Sequence, residues 1–422
     1  MSEYKLSIIV PAFNIETLIT ETFDSIKKQD IGFENIELIF VDDCSNDNTY
    51  DRITQYATEY ENVKAFKTEY NSRSGGKPRN IGIENSTAEY LLFLDGDDQL
   101  LVDSCSTLYN TITKSDADIV IGGHINRYSD ERLQHIPPLY FGKNEIFKNV
   151  INPNLFKIQP AIGAKLFKRE LLFKNDIRFP EEIAGQDLVF FLNTLVNSNE
   201  IKVLNNFYIY YRTIRDDSMT FNQNERYFYG LIRAYMLVCD LFEKHDLNYD
   251  IQEMVLVEHL SFFTKQINRV YSSKRLEKKS IDNILKSEQF KILSDKENFK
   301  KNPVFKEYFK NMISGQYDNQ KLLNKISDNL KPEMKNEYVF LKEHNAKLTE
   351  ENQKLNEKIT LLSQLADNFK KDFEELKTIQ NAVMDENNKL IDENEKVSKE
   401  LNEIKSTSLW KIKNKFKKGS NA

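Results

Sequence analysis

The 422-residue chain carries 65 acidic against 59 basic side chains, a formal net charge of −6, which excludes the basic character of a domain built to neutralise nucleic-acid phosphates. Its 28 Phe and 20 Tyr can fill a sizeable core, and the length admits roughly two or three domains. Three widely spaced cysteines, Cys44, Cys105 and Cys239, and five scattered histidines argue for reduced thiols, against a disulfide framework and against a zinc site.

The first predicted element is a strand over Leu6 to Val10, a β-branched run stopped by Pro11-Ala12-Phe13-Asn14. Ile15, Leu18, Ile19, Thr22, Phe23 and Ile26 then recur at helical spacing. A second apolar run, Leu38 to Val41, stops at Asp42-Asp43-Cys44-Ser45, and a second periodic stretch carries Thr49, Ile53 and Tyr56. Residues 91 to 98, Leu-Leu-Phe-Leu-Asp-Gly-Asp-Asp, read as a buried central strand ending in three carboxylates around a glycine. Strand, helix, strand, helix, strand predicts a parallel, doubly wound α/β sheet, whose ligands gather at the carboxyl ends of the strands. Asp95, Asp97 and Asp98 belong there. Carboxylates this close repel one another unless a cation joins them, and hard oxygen ligands suit Mg²⁺ or Mn²⁺ bridging to a diphosphate. The plainer alternative is a strand followed by a solvated acidic turn.

Four segments carry a family resemblance: Ser7-Ile-Ile-Val-Pro-Ala-Phe-Asn14, Val41-Asp-Asp-Cys-Ser-Asn-Asp47, Gly76-Lys-Pro-Arg-Asn80 and Phe93-Leu-Asp-Gly-Asp-Asp98. Through their order and spacing, residues 1 to about 100 resemble the nucleotide-sugar half of an inverting family 2 glycosyltransferase with the GT-A fold. Within that family the Gly-Lys-Pro-Arg-Asn stretch is most similar to enzymes that glycosylate the polyol phosphates of wall teichoic acids. The resemblance implies a UDP-sugar donor, with Pro11, Ala12 and Asp42 reading the uracil, and Asn14, Asn71 and Arg79 joining the donor site. It implies that Asp95, Gly96 and Asp97 face the diphosphate, Asp97 and Asp95 through Mn²⁺ or Mg²⁺. A carboxylate accepting from a ring N–H is a charge-assisted bond, and a planar guanidinium suits phosphate oxygens. Asp43 would cap the following turn instead. Strand-end Asx turns for Asp42-Asp43, and a solvated helix-start residue for Arg79 after Pro78, are the competing readings. The Walker spacing is absent, which disfavours a nucleoside-triphosphate hydrolase.

The resemblance places the catalytic base at Asp187, ahead of the apolar run Leu188-Val-Phe-Phe-Leu192. Glu181 and Glu182 are weaker candidates, and Gln186 stands where relatives carry an acid, which leaves one like charge fewer beside the base. Asp187 could equally complement a helix dipole. Arg215, in the stretch Tyr210 to Thr220, would close on the phosphates, and Ser218 occupies a position where relatives often carry His; a surface loop with ordinary ion pairs is the alternative. Lys165, in Gly163-Ala-Lys-Leu-Phe167, matches the strand lining the acceptor side, with an edge-strand lysine as its alternative.

The expected organisation is a GT-A catalytic domain over 1–221 (nucleotide-binding half 1–100, acceptor half 101–221), a helical extension over 222–332, a coiled coil over 333–405 and a basic amphipathic tail over 406–422. After Pro332 no Pro or Gly occurs until Gly419, and a heptad d series runs unbroken from Leu341 through Leu348, Leu355, Leu362, Phe369, Leu376, Val383, Leu390 and Val397 to Ile404. Asn345, Asn352, Asn387 and Asn394 at a positions favour a parallel dimer, while Phe369 and Phe373 keep a trimer open. The lysine-rich stretch Ser408 to Lys418, with Trp410 and Phe416, reads as an interfacial anchor, or else as a solvated tail; oligomerisation would multiply a weak anchor by avidity. Met1-Ser-Glu-Tyr-Lys leads directly into a strand and no apolar run approaches the ~18 residues of a membrane span. The expectation is a cytoplasmic enzyme held peripherally at the inner face of the membrane, moving a sugar, N-acetylglucosamine first among the candidates, from a UDP-sugar to a polyol-phosphate polymer. A capsule or other surface-polysaccharide transferase and a catalytically inactive coiled-coil scaffold are the alternatives.

Overall fold

The computed structural model describes residues 3–139, 144–148, 152–214 and 223–329, together with helical residues 354, 358, 369, 371, 373 and 375–406. They fall into two units, Met1–Glu350 and Glu351–Ala422.

The first unit is built on a ten-stranded sheet. Its strands are β1 (Leu6–Ala12), β2 (Ile36–Asp42), β3 (Val63–Lys67), β4 (Tyr90–Phe93), β5 (Gln99–Leu100), β6 (Ile119–Tyr128), β7 (Leu133–Ile136), β8 (Glu145–Lys148), β9 (Lys165–Lys168) and β10 (Glu200–Ile214). The order is β3-β2-β1-β4-β9-β6-β10-β5, with β7 on β6 and β8 on β10. β3, β2, β1 and β4 are mutually parallel, as predicted for the first hundred residues. The sheet as a whole is mixed: β9 runs antiparallel to both β4 and β6. Parallel neighbours need a crossover helix. β1, β2 and β4 have one between each pair, but among the described residues between β6 and β9 there is no α-helix.

The helices of the sheet region are α1 (Ile19–Lys27), α2 (Thr49–Glu59), α3 (Gly76–Asn85), α4 (Ser104–Thr113), α5 (Arg169–Lys174) and α6 (Gln186–Asn197). Because both faces of the sheet are covered, β1 and β2 are apolar almost without alternation. Ile8, Val10, Leu38 and Phe40 pack one face with Phe23 and Ile26 of α1; Ile9, Ile39, Val41 and Phe93 pack the other with Ile83 of α3 and Phe190 of α6. The second cluster runs on without a break into Phe228 and Tyr235 of α7 (Glu225–Lys244), Phe263 of α8 (Tyr249–Ser272), Phe290 of α10 (Glu288–Ser294) and Phe309 of α12 (Pro303–Ile313). The helical extension therefore shares its core with the sheet. The short α9 (Lys278–Leu285) and α11 (Glu297–Lys300), and α13 (Gln320–Asn329), complete it.

Glu37 is among the fully enclosed charges. Glu37 on β2 accepts hydrogen bonds from Ser7 Oγ, from Lys64 Nζ at 2.6 Å, and from Thr87 N at 2.7 Å and Thr87 Oγ1 at 2.9 Å. Burial raises its carboxyl pKa, but these donors outweigh burial and hold it below the ordinary value. A depressed native pKa contributes stability that is present above the unfolded-state pKa and is lost as the pH falls through the native one. Glu37→Ala removes the acceptor shared by Lys64, Ser7 and Thr87; because Lys64 is 37% exposed and keeps Asn85 O, the expected cost is about 2–3 kcal/mol in denaturant unfolding at pH 7. The deficit should shrink toward acid pH; a deficit below about 1 kcal/mol at pH 7 would show the network to be dispensable.

In the second unit, residues 375–406 are helical, and the heptad d residues Phe369, Leu376, Val383, Leu390, Val397 and Ile404 are all exposed. Leu341, Leu348, Leu355, Leu362 and the tail from 407 to 422 lie outside the described residues.

Candidate active site

β1 and β2 end side by side, with Ala12 opposite Asp42. Pro11 has no N–H to offer, and Asp43 N closes the strand ends by donating to Ala12 O at 2.8 Å. Asn14, in the left-handed region at φ 49°, donates its N–H to Ser45 Oγ at 2.9 Å and accepts at Oδ1 from Asn46 N at 2.9 Å. It thereby ties the loop after β1 to the loop after β2, where Cys44 is also left-handed at φ 61°; non-glycine residues in this region are uncommon and cluster at functional sites. Asp42 is wholly buried. Its Oδ2 accepts from Ser45 N at 3.0 Å and faces Lys67 Nζ at 3.6 Å, whereas Oδ1 has no hydrogen-bond partner. A buried acceptor left unpaired costs about 1–3 kcal/mol, so this oxygen is poised for a donor from a ligand. Asp43 does not cap the turn that follows it, which Asp42 closes through Ser45; it holds the turn after β3 instead, accepting from Ser72 N at 3.0 Å, Ser72 Oγ at 2.9 Å and Thr68 Oγ1 at 3.1 Å. Asn71 spends its Oδ1 on Arg73 N at 2.6 Å, within that same turn.

Beyond β4 the chain turns through Asp95-Gly96-Asp97-Asp98. Thr22 Oγ1 of α1 donates to Gly96 O at 2.8 Å, and a Cβ on Gly96 would lie 2.3 Å from Ile15 Cδ1 and 3.0 Å from Pro11 O. The turn is thus seated tightly on α1. The three carboxylates part company here. Asp98 is buried and accepts from Thr213 N of β10 at 2.8 Å; burial, then the charges of Asp95 and Asp97, push its carboxyl well above the ordinary range. Asp98 anchors β10. Asp95 is exposed and Asp97 half-buried, and among the described residues no three His, Cys, Asp or Glu side chains converge as a cage. Two carboxylates separated by one glycine fit an ion of the Mg²⁺ type, which keeps several water or phosphate oxygens and takes only one or two carboxylates from the protein.

Across the cleft, α3 delivers Arg79. Its side chain is only 6% exposed, with Nη2 2.5 Å from Asp95 Oδ1 and Nη1 3.1 Å from Asp187 Oδ1. That corrects the solvated helix-start reading: the guanidinium bridges the carboxylate turn and the candidate base. Its Cζ lies 5.3 Å from the Phe179 ring, which stacks on Phe190 at 3.8 Å. Gly185, left-handed at φ 80°, turns the chain into α6 and brings Gln186 and Asp187 into its first turn. A Cβ on Gly76 would meet Pro180 O at 2.5 Å and Gln186 Oε1 at 2.4 Å. This close approach lets α3 and the start of α6 share the site. Burial raises the Asp187 pKa; the Arg79 charge opposes it and Asp95 adds to it, for a net upward shift. The weaker base candidates are engaged elsewhere: Glu181 Oε1 accepts from Asn80 Nδ2 at 3.0 Å, and Glu182 faces Arg226 at 3.8 Å.

Lys165 is not an edge residue. β9 lies between β4 and β6, and the buried ammonium donates to Gln159 O at 2.8 Å and Ala161 O at 2.5 Å. Burial lowers its pKa to about 7, with the Asp187 charge opposing the shift. β10 contributes residues that the sequence reading had not singled out. Its register shifts between Val203 and Tyr208 and again between Tyr208 and Tyr210, and such bulges re-aim side chains. Tyr210 is buried with its ring 5.4 Å from that of His124. Half-buried Arg212 is influenced electrostatically by Tyr210, Asp98, Asp95 and Asp187. His124, whose Nε2 has no partner, is pushed down to about 3 by burial and by the Arg212 and Lys165 charges. Arg215 and Ser218 lie outside the described residues.

The strand ends thus present a carboxylate pair, with a separate carboxylate facing them across the cleft. Residues 7–172 match the model of glycosyl transferase family 2. The chain is 34% identical over 214 residues to a poly(ribitol-phosphate) beta-glucosyltransferase of Bacillus spizizenii, covering 50% of this chain and 33% of that one. It is 31% identical over 272 residues to the poly(ribitol-phosphate) beta-N-acetylglucosaminyltransferase TarS of Staphylococcus aureus, covering 61% of this chain and 44% of that one. The matches thus span less than half the length of these two curated relatives. Among solved structures, a fragment of S. aureus TarS superposes with a TM-score of 0.58 at 25% identity, covering 76% of this chain and 90% of that one. The same fragment in complex with UDP-GlcNAc superposes with a TM-score of 0.58 at 24% identity, covering 76% and 91%. The sheet is therefore of the GT-A-like, TarS-like kind.

Proposed function

We propose that the chain is a metal-dependent, inverting glycosyltransferase that moves N-acetylglucosamine from UDP-GlcNAc to a polyol-phosphate polymer of the wall teichoic acid type. The observation that carries this reading is the Arg79 bridge, which sets Asp187, with its raised pKa, one guanidinium away from the Asp95-Gly96-Asp97 turn. One anomeric carbon can then have a proton acceptor on one side and a diphosphate on the other. Asp187 takes the proton of the acceptor hydroxyl as that oxygen bonds to the anomeric carbon, and the bond to the UDP oxygen breaks on the opposite face. A divalent ion at Asp97 and Asp95, when bound, supplies charge stabilisation for the departing diphosphate, so no protein acid is required. Asp42 Oδ1 accepts from the uracil ring N–H between the Pro11 and Ala12 backbone and the Asn71 turn, while Asn14 fixes the loops around it. Arg215 is assigned to the phosphates. The acceptor assignment is supported by the ribitol-phosphate relatives and the sugar by the TarS likeness.

The exposed heptad face pairs in register with a second copy as a parallel coiled coil, and Trp410, Phe416 and the flanking lysines rest on an anionic membrane surface from the cytoplasmic side. Among the described residues no helix is long and apolar enough to cross a membrane. The test is to incubate purified protein with Mn²⁺, poly(ribitol phosphate) and a panel of UDP-sugars, and to read the product linkage by NMR. A β-linked GlcNAc product that disappears with chelator is expected. An α-linked product would overturn inversion, and product on a capsule polymer alone would move the acceptor.

A further inference from the structure

We propose that Gln186 is a positioning residue for the Arg79 guanidinium, its side-chain amide turned so that Oε1 accepts from Arg79 and Nε2 donates to Pro180 O; this rests on the site reading above and deepens it. Gln186 opens α6 beside Asp187 and is 6% exposed. Its amide is threaded past two glycines. A Cβ on Gly75 would lie 2.5 Å from Arg79 Nη1, 2.9 Å from Arg79 Cζ and 3.2 Å from Gln186 Nε2. A Cβ on Gly76 would lie 2.4 Å from Gln186 Oε1 and 2.5 Å from Pro180 O. The amide nitrogen and the guanidinium thus converge on Gly75, donor beside donor, while the amide oxygen and the carbonyl converge on Gly76, acceptor beside acceptor.

Two buried atoms record the mismatch. Among the described residues neither Gln186 Oε1 nor Arg79 Nε has a hydrogen-bond partner, and buried polar groups are rarely left so. A half-turn of the amide keeps its shape and exchanges its ends, which resolves both conflicts at once. The surrounding backbone is pinned: Asn80 exchanges two hydrogen bonds of 2.9 Å with the Phe179 backbone, and Ser74 Oγ receives Glu182 N at 3.1 Å and Gly76 N at 3.4 Å. The relief therefore comes from the amide. Arg79 then has a third oxygen beside those of Asp95 and Asp187, and a planar guanidinium held at three points is fixed in orientation. This third oxygen is uncharged. A glutamate at 186 would bring a further negative charge toward the seat of the diphosphate and set a carboxylate against Pro180 O; glutamine alone of the two has a donor for that carbonyl.

The test pairs kinetics with a substrate-free readout. Gln186→Met, which keeps the length and removes both hydrogen bonds, is expected to lower kcat about tenfold, the loss of one charge-assisted contact, with donor and acceptor KM unchanged. Gln186→Glu returns an oxygen to Arg79 and should recover most of kcat while raising the donor KM about tenfold through like charge. A kcat for Gln186→Met equal to wild type, or a loss that Gln186→Glu does not recover, overturns the proposal; a side chain that only packs would lower the unfolding midpoint and leave kcat alone. Nitrogen-15 NMR of the substrate-free protein separates this proposal from the functional reading, because it stands even if no sugar is transferred. The Gln186 amide protons should be protected from exchange, and the two Arg79 Nη signals should be resolved in wild type, as for a guanidinium that cannot rotate, and averaged in Gln186→Met. Gln186 amide protons that exchange as freely as those of exposed glutamines, or Arg79 signals already averaged in wild type, refute it, whether or not the Met variant folds.

Discussion

Replacing Asp187 by Asn is expected to lower kcat by roughly 10²- to 10⁴-fold, the usual contribution of a positioned general base, while leaving UDP binding and the unfolding midpoint close to wild type. The substitution keeps the shape and one acceptor oxygen for Arg79 Nη1, which now lies 3.1 Å from Asp187 Oδ1, but the side chain can no longer take a proton. The pH dependence follows from the raised pKa of the carboxyl. The base acts ionised, so kcat/KM should fall as the pH drops through a value above the ordinary carboxylate range. If that limb sits at or below the ordinary range, the acceptor hydroxyl is deprotonated elsewhere. Asn at this position should erase the limb from the residual activity. A variant that retains a tenth or more of the wild-type rate would assign the base to another group.

Arg79→Lys is the second large effect: a loss of about 10²-fold in kcat/KM, with no rescue by the retained charge. One planar guanidinium reaches Asp95 with Nη2 and Asp187 with Nη1, and a lysine ammonium is a single point that cannot span both in that geometry. Arg79→Met should do more. It leaves two carboxylates facing each other across the gap, raises the Asp187 pKa further by removing the opposing charge, and moves the acid limb of the profile to higher pH. The stability cost should be modest for so enclosed a cation. Asp95 and Asp187 are 53% and 38% exposed, so water screens both partners and about 1–2 kcal/mol is expected rather than the 3–5 of a fully buried pair. A kcat/KM for Arg79→Lys within threefold of wild type would show that the bridge positions nothing.

The first hundred residues were the most legible part of the chain. The apolar runs at Leu6, Leu38 and Leu91 read as covered strands, although β1 continues through Pro11 and Ala12 and β2 through Asp42. Strand β3 and helix α3 left no comparable trace. Val63-Lys-Ala-Phe-Lys67 is short and weakly patterned, and α3 buries Gly76, Pro78, Arg79, Asn80 and Gly82 alongside Ile83. Its position is decided by polar partners, such as Asn80 with the Phe179 backbone, which hydrophobic periodicity does not register. The division of labour within Asp95-Gly-Asp-Asp98 was hidden for a similar reason: only the pairing with Thr213, far along the chain, turns Asp98 from a ligand candidate into an anchor. An edge-strand lysine stayed open as the alternative for Lys165 because a cation in a strand is ordinarily exposed. The carbonyls of Gln159 and Ala161 that accept its protons lie in a connection without regular period. Arg212 depends on the bulges of β10, since a one-residue slip exchanges the faces of every residue that follows.

The measurement that bears most directly on the central claim is UDP release from UDP-GlcNAc by the purified chain with Mn²⁺, with and without poly(ribitol phosphate). Release stimulated at least tenfold by the polymer and abolished in Asp187→Asn is the predicted result. Release that is the same with and without polymer, or that survives intact in the variant, would contradict the account.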